Sequence, residues 1–452
     1  GSWLVDGSRW LFTALGSPEW LTTLISDGLG GGVQLVCTFI PVIGFLYLCM
    51  SVLEDSGYLS RAAFVIDGMM SRIGLPGQAF IPLIVGFGCN VPSVMAARAL
   101  DRPSTRLTTI FIAPFMSCGA RLSVYVFIGT AMFPDRAGGA IFLLYMLGII
   151  VAIGSAWLLR KSLFRAENDG QIAEMPAYHK PLLRNVLTQT WQRLSAFMMR
   201  AGKRILAVVL VLSAVSSIGT DGSWGNKDND KSLLASIGKS VTPLLVPIGI
   251  GADNWPATVG LFTGLFAKEV VVGTLDTLYN PPEKDAPGNA MPDFGAGMSD
   301  ALQSIADNGQ ALGESLLNPL GINIGSLSNA EQAASDQGVN TKSYSSMVAL
   351  FPSAWAAFCY LVFILLYAPC VATIGVMQKE AGSAWLQFSV IWSLLLSYWL
   401  ASNLWQMSRV FEQPIIALGW LGCSSLVLYG CYQLIVQRVR RQYAHEIPVI
   451  QL

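Results

Sequence analysis

Apolar residues in this chain come in long blocks rather than at the spacing of a half-buried helix or strand. Continuous apolar runs long enough to cross a bilayer of roughly 30 Å lie near 31–53, 107–133, 139–159, 346–377, 384–407 and 414–436. Two shorter runs, 57–72 with Asp67 and 204–218, are also expected to cross, the second entered by a basic amphipathic helix from 182 onward. Two further stretches, 78–97 and 256–279, resist assignment as simple spans. The first is interrupted by GFGCNVP, where Gly86, Gly88 and Pro92 disfavour a helix and leave Cys89 and Asn90 at membrane depth. The second carries Lys268 and Glu269. Both read as broken or re-entrant helices, because irregular backbone at membrane depth persists only inside protein or against a cavity. The expected fold is an all-α polytopic membrane protein of about eight transmembrane helices plus two broken segments.

Composition agrees, with 53% hydrophobic and 12% charged residues and a mean hydropathy of +0.52, far from a soluble chain of this length. Net charge is zero, so nothing points to nucleic acid, and the division of charge among loops becomes the useful signal. Residues 160–204 hold nine Lys/Arg against three Asp/Glu; Arg98, Arg102 and Arg106 follow the first broken segment, and Arg438, Arg440 and Arg441 lie in the tail. All are expected to be cytoplasmic. The 280–343 loop, with eight acids and two lysines, is expected outside. Eight spans satisfy this and put both termini in the cytoplasm.

The predicted order is an interfacial amphipathic region 1–29, a first repeat 30–159, the basic segment 160–204, the start of a second repeat 205–279, the acidic loop 280–343, the rest of the second repeat 344–437 and the tail 438–452. The two broken segments then enter from opposite sides, as in an inverted repeat. Each is followed by a span with a proline close to a cysteine, Pro114-Phe115-Met116-Ser117-Cys118 and Pro369-Cys370. Broken elements in matching positions of two halves point to a midplane transport site.

At such breaks freed backbone groups and side chains can replace a substrate's hydration shell. Cys89, Cys118 and Cys370 would offer sulfur to a soft or borderline metal, and Asn90, Ser117 and Glu269 would add harder oxygens; the mixture suits a transition metal such as Fe(II). A buried cysteine is ordinarily a packing residue, but these three sit beside Gly88, Pro92, Pro114 and Pro369. Met116 reads as core and Asp67 as a helix-packing group. Neighbours on a helix point about 100° apart, so of Lys268 and Glu269 only one faces the cavity on the side of Cys370, and Glu269 is the expected one. His179 and His445 fall in predicted cytoplasmic segments, which leaves no histidine cluster. Gly238-Lys239-Ser240 ends like a phosphate-binding loop, but Leu233 stands where that motif needs glycine, and no nucleotide site or catalytic triad is visible.

The stretches LEDSGYLSRAAFVIDGMM, GFGCNVPSVMAARAL, PFMSCGARLSVYV, FAKEVVVGTL and YAPCVATIGV, in that order from about residue 30 onward, resemble the membrane domain of the FeoB family of bacterial ferrous iron transporters. The resemblance implies Fe2+ as transported substrate, uptake across the inner membrane through two Gate repeats, Cys89 in the first gate with Cys118 after it, and Cys370 in the second. It also implies an N-terminal GTP-binding domain, which holds any GTPase activity and is absent here, and a small cytoplasmic accessory protein as a possible partner beside the lipid bilayer. Gly1-Ser2 in place of Met reads as a cleavage scar, an expectation that fits a removed domain. The chain itself is expected to be a permease and no enzyme. Two alternatives remain open: transport of an organic solute such as a nucleoside, and a metal or redox sensor that moves nothing.

Overall fold

A computed structural model describes residues 2–134, 136–164, 178–219, 232–266, 268, 270–280, 299, 303 and 341–443. Every regular element among them is helical. Helix α1 (Ser2–Ala14) turns back through α2 (Glu19–Thr23) into a π-helical turn, Leu24–Gly30, that continues as α3 (Gly31–Asp55). Within 1–29, Arg9 binds the buried carboxylate of Asp27, and Val5 and Ser8 pack beside Gly30.

Five stretches are long and apolar enough to cross a membrane, Trp20–Asp55, Pro103–Met132, Ala137–Ser162, Ala354–Ser408 and Pro414–Gln437. Between them they hold the six long runs expected from the sequence, apart from residues 346–353 of the fourth. The first repeat comprises α3, α4 (Tyr58–Ile73), α5 (Phe80–Gly88), α6 (Asn90–Ala96), α7 (Pro103–Ile112), α8 (Gly119–Met132) and α9 (Ala137–Ser162). After α10 (Leu183–Phe197), the expected basic amphipathic helix, the pattern recurs. Its members are α11 (Lys203–Ser217), α12 (Leu233–Leu245), α13 (Trp255–Phe266), α14 (Val270–Tyr279), α15 (Thr341–Leu350), α16 (Ala354–Leu366) and α17 (Val371–Ser408). Helix α18 (Pro414–Tyr443) closes the described chain. In each half the helix before the broken hairpin is followed by a left-handed glycine, Gly74 and Gly249. Gly382, with φ 84 and ψ 166, bends α17 between the two predicted runs 346–377 and 384–407.

The structure corrects the expected spans in two places. Helix α4, expected to cross at 57–72, is not among these five stretches. Its first turn holds Arg61, whose guanidinium lies 4.1 Å from the Tyr178 ring centroid, and its last residues lead to Gly74, which packs against Arg160. Both contacts flank one basic segment, so both ends of α4 lie on one face. The end of α3 is there too: His179 N–H donates to the Ser56 carbonyl at 3.2 Å, Leu182 N–H to Asp55 Oδ2 at 2.8 Å, and Arg193 meets Glu54 at 2.6 Å. Sixteen residues reach only about 24 Å as a helix.

Secondly, the runs 107–133 and 346–377 are themselves broken, so the described helices have four interruptions, the two expected and two more. Pro114 ends α7 in a 3-10 turn, Ala113–Phe115, followed by extended Met116; Pro369 follows α16, whose cap Tyr367 is extended. Each proline lacks an N–H and so removes one helical hydrogen bond; Ala113 before Pro114 stays helical, φ −52 and ψ −40, and the chain turns extended only at Met116. The decoy Gly238-Lys239-Ser240 lies inside α12, with Gly238 packed on Val259, and is no loop. Around the breaks the core is aromatic: Phe111 stacks on Phe388 at 5.0 Å, and Trp385 Nε1 donates to the Leu107 carbonyl at 3.2 Å, joining α17 to α7.

Candidate cation site at the helix breaks

Of the residues in GFGCNVP only Cys89 leaves the helix. Gly86 and Gly88 belong to α5, and Pro92 sits in the first turn of α6, where a missing N–H costs nothing. Cys89 is extended, φ −155 and ψ 130. The turn is held across the hairpin by Ser93 Oγ, which donates to the Pro82 carbonyl at 2.7 Å. Oriented to satisfy its neighbours, the Asn90 amide donates to the carbonyls of Gly86 and Ala113, each at 3.1 Å. Asn90 thereby ties the first break to the second. Gly86 is required here because a β-carbon would stand 3.1 Å from Met116 Cβ. Met116 is buried core, as expected.

At the second break Cys118 caps the N-terminus of α8, and the Ser117 and Tyr125 hydroxyls lie 2.8 Å apart. The residue that sequence reasoning missed is Arg121. It is 0% exposed and donates from Nη1 to the carbonyls of Pro114 at 2.7 Å and Met116 at 3.4 Å. Its Nε and Nη2 have no hydrogen-bond partner among the described residues. Those carbonyls are the ones that the break leaves without helical donors, so a buried cation does the work of the lost N–H groups. An arginine three residues after Cys118 in an apolar span is functional by default, and that signal was present in the sequence.

Lys268 lies between α13 and α14, 4% exposed, with Nζ 4.8 Å from the Tyr367 ring centroid. Glu269 lies outside the described residues. Lys268 sits in a turn rather than a helix, within electrostatic range of Cys370. At the fourth break Cys370 caps α17, and its Sγ is 3.1 Å from Thr373 Oγ1.

The four interruptions converge in pairs. The Gly88 carbonyl is 4.0 Å from the place a β-carbon would take on Gly119, Asn90 spans to Ala113, and Lys268 covers Tyr367. Cys370 is within electrostatic range of Cys118 and Lys268, and Tyr367 of Arg121. Cys89 faces Tyr47 and packs with the smaller apolar cluster of Ile43, Val91 and Phe197. Among the described residues no three His, Cys, Asp or Glu side chains form a metal-sized group. The breaks thus set sulfur and freed carbonyls near two buried cations, Arg121 and Lys268.

Residues 36–132 and 202–384 match the Gate family, described as "Nucleoside recognition", and residues 141–193 match "Ferrous iron transport protein B C terminus". The chain is 43% identical over 415 residues to proteins named Fe(2+) transporter FeoB from Salmonella paratyphi A and Salmonella typhi, covering 92% of this chain and 53% of the relative. To the Escherichia coli protein of the same name it is 43% identical over 419 residues, with the same coverage. The chain therefore spans about half the length of the curated relatives it matches. No solved structure matches. The two Gate stretches make up more than half of the chain, and each contains two of the four breaks. The chain belongs to the Gate family.

Proposed function

We propose that this chain is the permease portion of a ferrous iron uptake system of the bacterial inner membrane. The carrying observation is that the four helix breaks approach one another in pairs, two from each Gate stretch, with Cys118 and Cys370 at matching helix N-termini. The relatives named Fe(2+) transporter support Fe2+ as the substrate. Cys89, Cys118 and Cys370 act as transient sulfur contacts, Glu269 supplies charge, and Gly88, Asn90, Pro92, Pro114, Ser117 and Pro369 keep the backbone open between them. Hydrolysis of GTP belongs to an N-terminal domain outside these residues, and an accessory protein, where one acts, meets the cytoplasmic face.

Anaerobic vesicles carrying the chain, alone and joined to an N-terminal GTP-binding domain, test this. Wild type should accumulate Fe(II), and Cys89→Ser and Cys370→Ser should each lower the rate about tenfold, the effect of some 1.4 kcal/mol on a barrier. Folded variants that transport at the wild-type rate refute the cysteine path. The Gate description favours one other reading, an organic solute; thermal stabilisation by nucleosides and not by Fe(II) would establish it instead.

Sidedness follows from the basic segments. In a background without the exposed Cys37, Cys49 and Cys423, Asp253→Cys should react with an impermeant maleimide from outside intact cells. His179→Cys should react only after permeabilisation. Reaction of both from outside would overturn the orientation.

A further inference from the structure

Apart from the breaks, the described residues enclose a cavity of about 720 Å³ between α3–α4 on one side and the hairpin α5–α6 on the other. Its walls include Tyr47, Met50, Glu54, Asp67, Pro92 and Met95. It lies on the face that carries residues 178–183, since Glu54 and Arg193 line it. Three features make it more than a packing defect. The hairpin that forms one wall is the element that holds Cys89, and Tyr47 on the other wall is within electrostatic range of that thiol. The donors are graded along α3: the Tyr47 hydroxyl donates to the Met95 thioether sulfur at 3.6 Å, Met50 is next, and Glu54 follows roughly 10 Å from Tyr47 along the helix. The arginines that line it are already matched. Arg193 binds Glu54, and Arg98 binds Glu380 through both nitrogens of its fork, which holds its guanidinium pKa above the ordinary value. Asp67 accepts the Gly77 N–H at 2.6 Å and forms no ion pair among the described residues, so of the two carboxylates in the wall, Glu54 and Asp67, it is the one that no arginine matches.

We propose that this cavity is a cation vestibule, which takes a partly hydrated divalent transition-metal ion on the cytoplasmic side of the Cys89 break, with Asp67, Met95 and Met50 as its contacts. The inference rests on the ferrous iron reading for the identity of the ion and extends it to a site that none of the family motifs' cysteines form. Six waters at roughly 30 Å³ each occupy about 180 Å³, so the space admits an ion with its shell largely intact. Thioether sulfur and carboxylate oxygen together suit a borderline ion better than Mg2+ or Ca2+. An ion that leaves the thiol at Cys89 therefore regains water gradually instead of in one step.

Co(II) is the probe, because it is paramagnetic and of similar borderline character. With exposed Cys37, Cys49 and Cys423 replaced by Ala, a trifluoromethyl tag is placed on Ser60→Cys, in the cavity wall, or on Asp253→Cys. The latter sits near Gly249 and Trp405, at the far end of α17 from Gly382. Co(II) should broaden the Ser60 tag at about tenfold lower concentration than the Asp253 tag. Asp67→Asn, which keeps an acceptor for Gly77 N–H, combined with the volume-conserving Met95→Leu, should raise that concentration about fivefold or more. Equal concentrations at the two tags, or no effect of the double variant, overturn the vestibule. Fe(II) uptake by untagged vesicles separates the two ideas. Uptake without Co(II) preference refutes only the vestibule, and Co(II) preference without uptake refutes only the iron reading.

Discussion

Glu269→Gln is expected to insert and fold like wild type and to lose most Fe(II) uptake, at least about tenfold. A charged residue at the centre of a membrane helix costs about 2.5–3.5 kcal/mol on insertion scales. Lys268 already brings such a cost to the crossing, beside Tyr367 and Cys370. Arg121 adds a second buried cation near the same place. A divalent ion passing between them is repelled unless a negative group offsets both charges, and Glu269 is the acid that follows Lys268 in sequence. Gln keeps the shape and the hydrogen bonding and removes only the charge. Lys268→Met, by the same reasoning, removes a repulsive charge and should retain at least about a third of the uptake. Initial rates of anaerobic uptake into vesicles, normalised to inserted protein, check both. Normal transport by Glu269→Gln with loss in Lys268→Met would make the lysine the functional charge.

Arg121→Met is expected to abolish uptake with little loss of stability, which separates a positioning role from a merely structural one. Two opposing terms set the stability. Removing the guanidinium strips the Pro114 and Met116 carbonyls of their donor, and each buried group left unsatisfied costs about 1–3 kcal/mol. The same change relieves the burial of a cation, worth about 2.5–3.5 kcal/mol. The terms are of similar size, so the melting temperature in detergent should shift by only a few degrees. The break itself loses its fixed geometry. Cys118 is three residues away at the N-cap of α8, and a freed 113–118 segment no longer presents it to Cys370. Uptake should fall about tenfold or more, with Arg121→Lys intermediate because it restores charge and one donor but not the planar fork. Wild-type uptake in Arg121→Met would show that the backbone of the break holds itself.

The two expected broken helices are present, and two further breaks escaped the hydropathy pattern for a physical reason. In 78–97 the breakers stand together and are conspicuous, yet Gly86, Gly88 and Pro92 all fit into helix, and only Cys89 is extended. In 107–133 and 346–377 the breaking proline, Pro114 or Pro369, sits in a strong apolar run, where hydropathy outweighs it. Whether such a proline kinks a helix or ends it depends on what receives the freed carbonyls. Arg121 receives them at Pro114.

What the sequence by itself determined is the class of the protein, the position of its long apolar helices and the cysteines at their interruptions. Those follow from the transfer free energy of each residue and the local steric rules of glycine and proline, which need no knowledge of neighbours. Only the tertiary structure decided that α4 stays on one face, that Asn90 bridges to Ala113, that Arg121 caps the second break, and that Lys268 reaches Tyr367. It also opened the space lined by Tyr47, Asp67 and Met95. Each of these depends on groups brought together from distant parts of the chain to satisfy backbone or charge in a medium without water, and a pairing of that kind leaves no period or motif in the sequence.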